Sequence, residues 1–199
     1  MIDKPYSESC EQNREPILTV LRAAFADRHR VLEIGSGTGQ HAVYFGAELP
    51  HLVWQTADVR AHHPGIHAWL DEAALPSVLP PLELDVNQTH WHSGRYDAVF
   101  SANTLHIMGW PEVVRFFKGV GEVLEPGGVL VVYGPFNYNG QFTSESNARF
   151  DAWLKARDPA SGVRDFEAVD ALARAQGLVL QHDIAMPANN RSLVWQRIG

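Results

Sequence analysis

Short apolar runs alternate with amphipathic stretches along almost the whole chain, and this alternation constrains the fold more than any other feature. The strand-like runs are "RVLEI" (30–34), "LVWQTA" (52–57), "PLELDV" (81–86), "YDAVFSAN" (96–103), "VLVVYGP" (129–135), "LVLQHDIA" (178–185) and "SLVWQRI" (192–198). Between them, 38–49, 64–75, 111–124, 144–157 and 165–176 carry apolar residues at helical spacing. Strand–helix alternation predicts an α/β fold: a doubly wound, mostly parallel sheet with helices on both faces. Runs with almost no polar residue fit strands buried on both sides. The last two strands have no helix between them and are expected to pair as an antiparallel C-terminal hairpin, giving seven strands.

Before the first strand, "NREPILTVLRAAF" reads as a helix, with Asn13 as N-cap and Pro16 in its first turn. Residues 1–12 are expected to be irregular or only partly helical. The 199 residues fit a single domain whose N-terminal helical segment, 1–29, packs over the ligand site.

The stretch "VLEIGSGTGQHAVYF" places three glycines at alternate positions where the first strand meets the next helix. In a doubly wound sheet this is the crevice in which ligands bind. Gly35, Gly37 and Gly39 allow a tight turn and bring a ligand against main-chain N–H groups. A phosphate-cradling loop would end in Gly-Lys-Ser/Thr, and here the chain runs Gly39-Gln40-His41. The dinucleotide pattern G-x-G-x-x-G is also missed, because the third glycine comes one position early. Glu33 ahead of the loop repels phosphate and attracts positive charge. Asp58 closes the second strand, where an acid accepts hydrogen bonds from ribose hydroxyls. Asp85 closes the third. Together they imply a ligand with an adenosine-like part and a cationic part, without phosphate.

The bulk numbers narrow the partners. A net charge of −7 and no Lys/Arg run leave a bulk nucleic-acid partner without its electrostatic footprint. The single cysteine, Cys10, allows no intramolecular disulfide. Neither a signal-peptide core nor a membrane-length apolar window is present, so a cytoplasmic protein is expected. The ten histidines raise the question of a metal. His62, His63 and His67 cluster, and His90 and His92 form a pair, but Pro64 interrupts the first group and no cysteine-bearing zinc pattern accompanies either. No functional metal is expected.

These residues resemble the class I S-adenosylmethionine-dependent methyltransferases, through "VLEIGSGTG", Asp58, "LELDV", "YDAVFSAN" and "VLEPGGVLVVYGP". More narrowly, "NREPI", "SGTGQHA", "LHIM" and "YGPFNYNGQFTSESNARFDAWLKARDP" resemble the DUF938 family, which includes methyltransferase-like 26. The resemblance implies S-adenosyl-L-methionine as cofactor. Its methionine part would lie on the backbone of Gly35, Gly37 and Gly39, with Glu33 orienting that loop and Asn103 meeting the same end. Asp58 would hold the ribose, with Val59 on the adenine. Asp85 would reach the adenine amino group, with Val86 beside the ring. Arg14 could pair with the methionine carboxylate.

His106 follows the fourth strand and is expected to face the transferred methyl, where an imidazole suits general base catalysis near neutral pH. The tetrapeptide from Asn103, Asn-Thr-Leu-His, differs from the Asn/Asp-Pro-Pro-Tyr/Phe of methyltransferases acting on base amino groups. The polar loop "GPFNYNGQFTSESN" would build the acceptor pocket, with Tyr133, Asn137 and Tyr138 as substrate-binding residues and Trp110 as a wall. A small-molecule acceptor is expected. A non-catalytic cofactor-binding or protein-interaction module of the same fold, and a nicotinamide-dependent oxidoreductase, are the competing readings. The oligomeric state is left open.

Overall fold

In the computed structural model, residues 4–91 and 94–199 are described. Helix α1 (Glu8–Ala24) leads into strand β1 (Arg30–Ile34), helix α2 (Gln40–Glu48), strand β2 (Val53–Asp58) and helix α3 (His63–Ala73). Strands β3 (Val78–Glu83) and β4 (Tyr96–Ala102) follow, then helix α4 (Trp110–Val123) and strand β5 (Leu124–Gly134). Two short strands, β6 (Phe136–Asn137) and β7 (Arg164–Asp165), pair with each other and flank helix α5 (Glu145–Arg157). Helix α6 (Phe166–Ala175), strand β8 (Leu178–Met186) and strand β9 (Asn190–Arg197) complete the chain order.

The main sheet has seven strands in the order β3-β2-β1-β4-β5-β9-β8. β3, β2, β1, β4 and β5 run parallel, and β9 is antiparallel to both β5 and β8. The expected architecture is therefore present, C-terminal hairpin included. Strand order reverses between β1 and β4, which opens a crevice at their carboxyl ends.

Each face of the sheet has its own core, because successive side chains point to opposite sides. Val31, Phe100 and Val131 pack under Ile17 and Leu21 of α1 and Phe45 of α2. Leu32, Val99, Leu130 and Trp195 pack under Phe116 and Val120 of α4 and Val169 of α6. Trp195 also donates its indole N–H to Asp170 at 2.9 Å, tying β9 to α6.

Two local expectations are corrected. α1 starts at Glu8, five residues before Asn13: Ser7 is the N-cap and accepts from the Cys10 N–H, while Pro16 lies inside the helix. Asn13 is buried and turns its side chain inward, to the His41 ring at 2.7 Å. That buried contact outweighs its value as a cap. The third strand lies at 78–83 rather than 81–86. Pro80 and Pro81 are tolerated because β3 is an edge strand. Side chains of β2 add cross-strand bonds where the register is irregular: Gln55 donates to the Pro80 carbonyl at 2.7 Å, and Thr56 to the Leu79 carbonyl at 2.8 Å. Asp85 thus sits two residues beyond the strand, in the turn that follows.

Candidate active site

The three glycines of the loop meet three different demands. Gly35 has φ +76°, and a Cβ there would lie 2.4 Å from Thr104 Cγ2 in the loop after β4. The two loops at the strand-order reversal approach too closely for any side chain. Gly39, at φ +91°, caps α2 and packs on the backbone of Ile66 in α3. Gly37, at φ +58°, has open space where its Cβ would point. Only Gly37 keeps its glycine for a conformation whose outer side is free to receive something.

The loop is fastened to β2. The N–H groups of Gly35 and Ser36 both donate to the Ala57 carbonyl, at 2.9 and 3.1 Å. The Gly37 N–H donates to Asp58 Oδ2 at 2.7 Å. Asp58 Oδ1 accepts from the Val59 N–H at 2.7 Å and from His62 Nδ1 at 2.8 Å. Glu33, on β1, is 2% exposed. Its carboxyl accepts from the Trp54 indole at 3.2 Å, and burial pushes its pKa up to about 7. Hydrogen bonds from Trp54 and Ser36 pull against that shift, and the nearby Asp58 adds to it. A buried carboxyl poised near neutrality is a ready receiver for a cation.

Asp85 Oδ1 accepts from the N–H and side-chain amide of Asn87, at 2.8 and 3.0 Å. The same amide reaches Glu112 Oε1 of α4 at 3.1 Å, which fixes the turn. Val86 is buried in the core on the α4 side, whereas Val59 is 36% exposed beside Asp58. Asn103 adopts φ +58° and donates its N–H to the Tyr133 carbonyl at 2.9 Å, turning the chain out of β4.

His106 lies in that turn, 6% exposed, with its ring edge-on to Phe150 of α5 at 5.2 Å. Burial, with the neighbouring Arg164 charge acting in the same direction, lowers its pKa to about 4, so the imidazole is neutral at pH 7. The turn is held carbonyl by carbonyl. Leu105 accepts from Arg164 at 3.1 Å, His106 from the Gly162 N–H at 2.9 Å, Ile107 from Ser161 at 2.9 Å, and Met108 from Arg164.

The other singled-out residues are dispersed around this centre. Arg14 pairs with Glu11 and lies over the Tyr44 ring at 4.5 Å. Tyr133 is 4% exposed in the core under α1, where burial raises its pKa and the neighbouring Asn13 and Asn190 side chains act against that shift. Tyr138 stacks on Phe166 and donates to Asp183 at 2.8 Å. Asn137 is buried in β6, donating to the Val163 carbonyl at 3.3 Å. Its Oδ1 has no partner among the described residues. Trp110 opens α4 at 38% exposure. Among the described residues no group of three or more His, Cys, Asp or Glu is placed to hold a metal. His62 and His63 turn to the Asp58 carboxylate and carbonyl, His90 lies 3.8 Å from Glu122, and His92 falls outside the described residues.

Sequence reasoning missed Trp54 as the partner of Glu33, and His62 as the partner of Asp58. The second left a signal, the Asp58–His62 spacing of one helical turn. The first left none, since a cross-strand contact on a buried face has no local pattern.

A seven-stranded sheet of this order, with a glycine loop and acids at the reversal point, defines the Rossmann-like methyltransferase fold. The fold is shared with an O-methyltransferase family protein from Burkholderia thailandensis (TM-score 0.85, 17% identity, 96% of this chain and 58% of that one). It is also shared with human N-acetylserotonin methyltransferase in complex with SAM (TM-score 0.80, 14% identity, 96% and 53%). The S-adenosylmethionine-dependent methyltransferase SibL is similar as well (TM-score 0.81, 20% identity, 96% and 56%). The chain spans a little over half the length of these structures. Residues 4–197 match the family model described as "Protein of unknown function (DUF938)", and the chain belongs to that family. No helix among the described residues is long and apolar enough to cross a membrane.

Proposed function

We propose that the protein is an S-adenosylmethionine-dependent methyltransferase acting on a small-molecule acceptor. One observation carries the reading: Glu33, Asp58 and the open side of Gly37 converge where strand order reverses. The donor set fits the cofactor, offering a buried carboxyl for a cationic group and a second acid for ribose. The bound cofactor would supply a methyl group activated on a sulfonium.

In this reading the backbone of Gly35 and Gly37 receives the methionine end and Glu33 faces its positive charge. Asp58 accepts from the ribose, Val59 covers the adenine, and Asp85 Oδ2, which has no hydrogen bond among the described residues, accepts from the adenine amino group. His106, neutral at pH 7, accepts the acceptor's proton as transfer proceeds. A base with a pKa of about 4 is too weak to remove that proton beforehand. Trp110 and Asn137 border the acceptor. The O-methyltransferase names of the solved neighbours favour a hydroxyl at that position.

Calorimetric titration with S-adenosylmethionine, S-adenosylhomocysteine, NAD and NADP tests the cofactor. Labelled methyl transfer to metabolite, peptide and tRNA pools tests the acceptor class. Binding of NAD or NADP without response to either adenosyl compound would overturn the reading. Binding of the adenosyl compounds without transfer to any pool would leave a non-catalytic module.

A further inference from the structure

We infer that His62 is a positioning residue that occupies the ribose-accepting side of Asp58 and is displaced when the ligand enters. This rests on the cofactor reading above. A carboxylate offers about four acceptor positions. Asp58 has three filled: Gly37 N–H on Oδ2, and Val59 N–H and His62 Nδ1 on Oδ1. A ribose presents two adjacent hydroxyl donors, so one occupant must leave.

The two backbone donors cannot leave without unwinding the glycine loop or the turn after β2. His62 can. Its side chain is 55% exposed against 10% for Asp58, and the contact with Asp58 is its ring's only hydrogen bond among the described residues. It ends a 3-10 turn at Arg60–His62, whose backbone is held independently by the His62 N–H on the Val59 carbonyl at 3.0 Å. The His63 ring, 3.0 Å from the Asp58 carbonyl, braces the same turn. Rotation of the His62 ring therefore breaks one contact and leaves the turn in place. Arg60, the nearest competing cation on that turn, is paired with Glu83 at 2.7 Å.

The arrangement has a physical rationale. Asp58 is 8% exposed, and a buried carboxylate with vacant acceptor positions is costly. His62 keeps the carboxylate partnered and oriented until the ribose replaces it. The imidazole mimics a hydroxyl donor, and the ligand must compete with it.

The test is calorimetry with S-adenosylhomocysteine on the wild type, His62→Ala and His62→Asn, repeated with an analogue lacking the 2′- and 3′-hydroxyls. Removing the competitor is expected to tighten S-adenosylhomocysteine binding about fivefold in His62→Ala. His62→Asn, whose amide can occupy the Nδ1 position, is expected to return to wild-type affinity. The difference between wild type and His62→Ala is expected to vanish for the hydroxyl-free analogue. Unchanged or weaker binding by His62→Ala, or equal tightening for the analogue, overturns the inference and leaves the cofactor reading intact. Absence of binding by the wild type and both variants overturns the two together.

Discussion

Asp58 and Glu33 are both carboxyl groups at the end of a buried strand, yet they are expected to behave differently. Asp58 already accepts three hydrogen bonds, and Asp58→Ala removes the group the ribose would use. Its expected effect is a loss of about 2–3 kcal/mol of S-adenosylmethionine affinity, read by calorimetry, with the fold retained by circular dichroism. Glu33 is raised by burial to about 7, so below that value it is held neutral. A cationic ligand favours its charged form, and binding then releases a proton. Affinity is expected to rise with pH up to about 7, by up to tenfold per unit, and then level off. Glu33→Gln should flatten the profile; a wild-type profile already flat between pH 5 and 8 would remove Glu33 from the ligand site. His106→Ala should lower methyl-transfer kcat by about a hundredfold or more while cofactor affinity stays unchanged. Equal turnover would show that the imidazole serves only to pack against Phe150.

Between elements, the Gly35–Thr104 approach couples the β1–α2 loop to the β4–α4 turn. Gly35→Ala forces a methyl to within 2.4 Å of Thr104 Cγ2 and holds alanine at φ +76°. A loss of about 2–4 kcal/mol in chemical denaturation is expected. Thr104→Ser removes the obstructing methyl and keeps the hydroxyl that bonds Ser101 at 2.6 Å, so the double variant should recover part of the loss. No recovery would place the whole cost in the backbone angle. This coupling also marks what could be read beforehand. Strand periodicity and the helix-starting glycines revealed the elements, their alternation and two acids at strand ends, Glu33 and Asp58, while the third strand was placed three residues late and Asp85 with it. The start of α1 was misread because Asn13 looks like a cap locally, and only the buried His41 ring explains its place in mid-helix. The clamp on residues 105–108 was invisible for a related reason. Its donors, 161–164, lie more than fifty residues away and carry no pattern of their own.

At the scale of the whole molecule, buried titratable groups set the acid limit of the fold. Burial lowers both His41 and His106 to about 4. Between pH 6.5 and about 4 the unfolded chain holds protons at these rings that the folded chain refuses, so stability rises with pH there. Glu33 acts oppositely between 4.5 and about 7, because the folded chain keeps a proton that the unfolded chain releases. Where the three windows overlap, from 4.5 to 6.5, the net difference is one proton. These groups should then change stability by about 1.4 kcal/mol per pH unit, with acid as the destabilising direction. Urea denaturation across that range measures the slope. Glu33→Gln should steepen it, and an unchanged slope in His41→Asn would show that this ring contributes nothing.

β9 is the last strand in chain order but not the last in space. It lies between β5 and β8, and β8 contacts the rest of the sheet only through it. During synthesis β8 leaves the ribosome before it has any strand to pair with. α6 likewise waits for Trp195 to reach Asp170. The growing chain therefore carries two open edges that the finished sheet closes, the far side of β5 and the facing side of β8, until the eight-residue strand β9 inserts between them. Assembly of this sheet finishes as a closing zipper rather than as growth from one edge, and the period just before closure is when the chain is most exposed to strangers.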